Sequence, residues 1–119
     1  MSVFTKYRRN MSIDWGIETK DFPFIKCSDI EERGMLEEEI PIYGIFTTPD
    51  SGYGEGCIII LDNELLSIPQ RYLSEFRDYM DDPEVVEVIK AHKAGIKVTT
   101  FISNKFKKKG YDIEFIELS

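Results

Sequence analysis

The chain has 119 residues, of which 42% are hydrophobic and 31% charged, with a net charge of −7 and a pI of about 4.7. That is globular composition for one ordinary domain with a core of its own, and it excludes a disordered polyelectrolyte. No apolar h-region follows the basic start Met1–Asn10, and the longest apolar run, Cys57 to Leu61, is far short of the ~20 residues of a membrane helix. A soluble intracellular protein without membrane contact is therefore expected.

Residues 1–21 read as an N-terminal arm, with Lys6, Arg8 and Arg9 around Tyr7 and with Trp15 and Ile17 pinning its end to the body. The body, residues 22–119, opens with an aromatic and apolar lead-in strand, Phe22 to Cys27. Ser28 to Glu39 is strongly acidic, with Gly34 as a breaker, and reads as a solvated turn or one short helical turn. Ile40 to Thr47 is rich in β-branched and aromatic residues and predicts a strand, bent or bulged at Gly44. A loop with three glycines follows, Pro49 to Gly56, centred on Tyr53. Cys57 to Leu61 predicts a buried strand, and Leu65 to Ile68 a short one.

Pro69 marks a possible helix start. Tyr72, Leu73, Phe76, Tyr79 and Met80 then recur at helical spacing, which makes an apolar stripe. Asp81-Asp82-Pro83 breaks that helix and caps a second one, expected to end at Gly95. Ile96 to Ser103 alternates, with Ile96, Val98, Thr100 and Ile102 on one face and Lys97, Thr99, Phe101 and Ser103 on the other. A basic loop, Asn104 to Gly110, leads into a last strand from Tyr111 to Leu118. Three strands, helix, two strands is the order of an OB fold: a mainly β, five-stranded, partly open Greek-key barrel. Its ligands lie on the second and third strands and on the first-second and fourth-fifth loops. The cysteines, Cys27 and Cys57, sit among apolar neighbours and read as buried free thiols.

An acidic chain should repel phosphate if its charge is uniform, and here the charge is segregated. Between Glu87 and Asp112 lie seven of the fifteen basic residues and none of the 22 acids. The densest part, Lys105, Phe106, Lys107, Lys108 and Lys109, falls on the expected fourth-fifth loop, with Phe101 and Tyr111 beside it. Flexible lysines meet phosphates without reading sequence, and aromatic rings stack on bases, worth ~1–3 kcal/mol per base. A lysine-rich hairpin also reads as a solvated turn or as protection of a strand edge. Tyr53, flanked by glycines, fits a stacking platform or a lid folded over the barrel end. Tyr43 and Phe101 are candidate base platforms if they point outward, and core residues if the helices cover them. Lys97 shares a face with Phe101. The arm is a further source of phosphate contacts, or simply a disordered end.

No catalytic residue is expected. The single histidine, His92, has no partner at metal-ligand spacing. The carboxylates fall in runs typical of solvated faces, and there is no phosphate-cradling glycine motif or Gly-x-Ser-x-Gly. Neither metal nor cofactor is called for.

Several short patterns carry a resemblance: Tyr53-Gly54-Glu55 and the apolar strand to Leu61, then Leu65-Leu66-Ser67-Ile68-Pro69, Gly95-x-Lys97-Val98, and Phe106-Lys107-Lys108-x-Gly110-Tyr111-x-Ile113-x-Phe115. Together, over most of residues 22–118, they resemble the small single-stranded DNA-binding proteins of lactococcal phages. The resemblance implies an OB fold, sequence-independent binding of single-stranded DNA, and a role in phage replication and recombination in the cytoplasm of the host bacterium. It implies no metal or cofactor. Replication or recombination proteins are conceivable partners, and a homodimer is expected because one OB domain covers only ~4–16 nucleotides. Bacterial relatives in function carry a long acidic tail for partner recruitment. Here the sequence closes with Ile113 to Ser119, in or just past a strand, so recruitment through such a tail is not expected. The competing expectation is an acidic phage module that binds or inhibits a host protein; a DNA mimic of that kind would array carboxylates in rows over one face, whereas here they cluster near the helices and the 29–39 turn.

Overall fold

The computed structural model describes residues 15–48, 56–105 and 107–118. In chain order they form β1 (Phe24–Lys26), α1 (Cys27–Glu32), β2 (Ile40–Pro41), β3 (Gly44–Thr48), β4 (Gly56–Ile60) and β5 (Leu65–Ile68). A 3-10 turn (Gln70–Tyr72) then leads into α2 (Leu73–Asp81), α3 (Pro83–Lys90), β6 (Ala94–Ile102) and β7 (Lys109–Glu117). The strands make a four-stranded sheet in the order β1-β5-β4-β3 and a three-stranded sheet in the order β2-β6-β7. All neighbours are antiparallel except β1 and β5.

The expected bent strand is present as β2 and β3, and it joins the two sheets. The Ile42 N–H donates to the Ala94 carbonyl (3.1 Å), continuing the ladder with β6, and the Tyr43 N–H donates to the Ile60 carbonyl (2.8 Å), opening the ladder with β4. The bend therefore lies between Ile42 and Tyr43, not at Gly44. Gly44 is small for another reason: a Cβ there would come within 2.5 Å of the Trp15 ring and 2.8 Å of Ile60. Trp15 lies on it and donates its indole N–H to the Ile45 carbonyl (2.8 Å), so Trp15 is fixed to the body as expected.

The β-rich expectation holds in its coarse form, as two sheets with helices between β5 and β6. The fold is mixed α/β, and the described residues contain three helices and no closed barrel. Among those residues β5 pairs with β4 and β1, and no ladder joins β5 to β7. Side chains from the turn after β5 occupy that gap. The Ile113 N–H donates to the Tyr72 hydroxyl (2.8 Å), and Arg71 donates to the Tyr111 carbonyl and to the Asp112 carboxylate (2.9 Å). The β7 edge thus has hydrogen-bond partners without a strand beside it, as buried backbone groups require.

Local chemistry sets the helix ends. Asp29 reaches back to accept the Lys26 N–H (2.8 Å), half of a capping box at α1. Gly34, with φ 70°, closes α1: its N–H donates to Glu31 and the Met35 N–H to Ile30, the paired bonds of a Schellman end. Asp82 accepts the Glu84 N–H (3.0 Å) and Pro83 takes the first turn of α3. The α3 terminus differs from expectation. His92, at φ 61°, holds the left-handed position, with His92 N–H to Ile89 and Lys93 N–H to Val88. Histidine is one of the residues that tolerate that conformation. Gly95 instead lies in β6 opposite Pro41, where a Cβ would sit 2.9 Å from the Ile40 carbonyl.

The core gathers Ile42, Ile45, Ile59, Leu66, Phe76, Ile96 and Val98, all at most 1% exposed. Phe115 packs edge-on against Phe76 and Tyr79, with ring centroids 5.9 and 5.0 Å apart. Cys27 and Cys57 are buried and free, and burial pushes the Cys27 thiol up to about 11. No helix among the described residues is long and apolar enough to cross a membrane.

Candidate nucleic-acid interface

β6 and β7 are nine residues each, roughly 30 Å at ~3.3 Å per residue, and it is residues 94–98 of β6 with the opposing residues 113–117 of β7 that lie on the core. Ile96, Val98 and Ile113 are buried, whereas Ile102, on the same face as Ile96 and Val98, is 70% exposed. Thr100, which shares that face, is also exposed. The distal half projects as an arm. Its tip is tightened by the Ser103 N–H to the Lys108 carbonyl (2.9 Å) and the Lys107 N–H to the Ser103 carbonyl (2.7 Å), with Lys107 at φ 51°.

On the outer face, Phe101 lies across Gly110, where an added Cβ would meet the ring at 2.5 Å. The Arg71 guanidinium stands 5.5 Å from the Phe101 centroid and 5.0 Å from that of Tyr72. Phe101 stays 38% exposed, so it is held in place yet open to a stacking partner. Lys105, Lys107 and Lys108 are exposed at the tip. Lys97 lies nearer the body, half-buried and in register with Glu114, while Thr99 is in register with Asp112. Cationic character on this face is thus concentrated at the tip and is offset towards the body.

On the opposite face, Lys109 forms an ion pair with Glu31 of α1, and the Tyr111 hydroxyl donates to the other Glu31 oxygen (2.8 Å). The Lys109 ammonium sits 5.9 Å from the Tyr111 centroid. Hydrogen bonds from Lys109 and then Tyr111 hold the Glu31 carboxyl below its ordinary range, and the same contact raises Lys109 and Tyr111.

Phe101, Lys105, Lys107 and Lys108 therefore come together at the tip, Lys109 and Tyr111 at its base on the other face, and Lys97 towards the body. Tyr43 is not with them. It packs edge-on against His92 (5.2 Å), next to the end of β6 furthest from the tip, half-buried against Ile58, Ile60 and Leu65. Tyr53, Phe106 and the basic segment Lys6 to Arg9 lie outside the described residues. Arg71 and Glu31, which flank the arm, carry no local sequence signal: the arm residues that Arg71 meets, Phe101, Tyr111 and Asp112, and those that Glu31 meets, Lys109 and Tyr111, are all distant in sequence. Among the described residues no group of three His, Cys, Asp or Glu side chains could hold a metal ion. Comparisons of the chain with protein-family models, with curated proteins and with solved structures return no match.

Proposed function

We propose that this chain binds single-stranded DNA without sequence preference, through the projecting half of the β6–β7 hairpin, on an OB-type arrangement of strands. The observation that carries the reading is the tip itself: exposed Lys105, Lys107 and Lys108 beside exposed Phe101 and Ile102. Lysines there neutralise phosphates, and Phe101, backed by Gly110 and flanked by Arg71, offers a ring on which a base stacks. A duplex keeps its base faces paired and stacked and so gains only the phosphate term. The OB reading rests on the strand order and on a strand shared by two sheets. A role in phage DNA replication and recombination, and a homodimer that lengthens the DNA path, belong to the same proposal.

The test is a fluorescence-anisotropy titration of a labelled thirty-nucleotide strand and its duplex, at low and moderate salt. Tighter binding of the single strand, weakening as salt rises, is the expected result. Failure to bind either form at low salt would overturn the proposal and make a protein partner the ligand to seek.

A further inference from the structure

We infer that the Glu31 carboxylate is a built-in competitor, occupying in the free protein the position at which Lys109 and Tyr111 would receive a phosphate of the bound strand. The inference rests on the single-strand reading above and adds its regulation.

A carboxylate and a phosphodiester present the same thing to a donor pair: two anionic oxygens that accept charge-assisted hydrogen bonds. Here one Glu31 oxygen takes the Lys109 ammonium and the other the Tyr111 hydroxyl at 2.8 Å, so both donors just below the tip are engaged. Nothing accidental positions the acid. α1 is anchored by buried Cys27 and Ile30, ended by Gly34, and followed by a turn whose Glu37 N–H donates to the Val98 carbonyl of β6 (2.9 Å). Glu31 is thus delivered to the arm by a fixed backbone.

The contact is nevertheless exchangeable. The Lys109 and Glu31 side chains are 50% and 31% exposed, so rotation of the Glu31 side chain frees the donors without moving α1 or the core. Lys107 and Lys108 at the tip make no such ion pair among the described residues. A strand held first at the tip carries its next phosphates to the donors just below it, where they compete with Glu31 at high local concentration.

The test is a double-mutant cycle read by anisotropy on a labelled thirty-nucleotide oligothymidylate at low salt, with the full chain. Glu31→Gln should tighten binding by about three- to fivefold, the scale set by one exposed ion pair, and steepen the salt dependence by ~0.7 for the phosphate gained. Glu32→Gln removes the same charge from an exposed neighbour on α1 and should change affinity less than about twofold. Lys109→Ala should weaken binding more in the Glu31→Gln background than in the parent, where Glu31 already holds the ammonium, and so cancel the gain. Equal effects of Glu31→Gln and Glu32→Gln would reduce the result to bulk charge and overturn the inference. So would a Lys109→Ala loss that is the same in both backgrounds. If the parent binds the strand and Glu31→Gln is no tighter, the competitor alone is wrong; if neither protein binds, the single-strand reading falls with it.

Discussion

The two halves of the β6–β7 hairpin share one register and one alternation, yet they have opposite fates. Near the body, Ile96, Val98 and Ile113 lie on the core and Phe115 packs against Phe76 and Tyr79. Beyond Thr99 the same face carries Thr100, Ile102, Lys109 and Tyr111: Tyr111 is half-buried and still touches the core, whereas Thr100 and Lys109 are exposed and Ile102 is 70% exposed. Alternation says which face a residue takes; what lies under that face decides whether the residue stabilises the fold or is left for a ligand. The body half is accounted for by apolar burial. In the projecting half burial accounts for Tyr111 but not for Phe101 and Ile102, which stay exposed beside the lysines of the tip.

That contrast can be broken most forcefully in the body. Phe76→Ala removes a fully buried ring and should cost about 3–5 kcal/mol, whereas Ile102→Ala on the arm should stay within about 0.5 kcal/mol. Urea midpoints of the two variants measure the difference directly, and comparable losses would mean that the arm is part of the core after all. A smaller effect is expected where the two halves meet. Tyr72→Phe leaves the Ile113 N–H without its acceptor (2.8 Å, buried) and should cost about 1–3 kcal/mol. Amide exchange should accelerate at Ile113 more than at Ile59 in the other sheet, and equal acceleration would deny Tyr72 its place at the β7 edge.

The smallest effect is electrostatic. Hydrogen bonds hold Glu31 (from Lys109, then Tyr111) and Glu64 (from Arg33) below their ordinary carboxyl value of 4.5. A lowered value in the folded state means the native chain keeps these carboxylates to more acid pH than the unfolded chain does. Their contribution is therefore present above about pH 4.5 and is lost as pH falls through the lowered values. Because both pairs are solvent-exposed, the slope they add is shallow. A Glu31→Gln/Glu64→Gln variant should show a flatter fall in urea midpoint between about pH 6 and pH 3, and an unchanged fall would remove both pairs from the account.

What could be read in advance follows the range of the interactions. The strand Leu65–Ile68, the Asp82-Pro83 cap and the Gly34 stop are written within a few residues, and the structure has all three. The docking of Trp15 on the body was also legible, because a lone tryptophan beside a polar stretch has little else to pack on. The parallel pairing of β1 with β5 was not, since Phe24 and Leu65 are joined by no local pattern. Gly95 suggested a helix end by its type alone, but His92 accepts the left-handed position three residues earlier. In the candidate site, the lysines of the tip stand together in sequence, so their cluster was visible. That Tyr43 lies at the far end of β6, that Arg71 flanks Phe101, and that Glu31 holds Lys109 and Tyr111 are consequences of tertiary docking alone.

The measurement that bears most directly on the account is the salt dependence of single-strand binding for the parent chain and for a Lys107→Ala/Lys108→Ala variant, with thermal melts run beside it. The account predicts an unchanged melting temperature, weaker binding, and a plot of log affinity against log salt shallower by about 1.4, two phosphate contacts at ~0.7 each. Identical affinity and slope for the two proteins would contradict it, and the projecting hairpin would then be solvated surface.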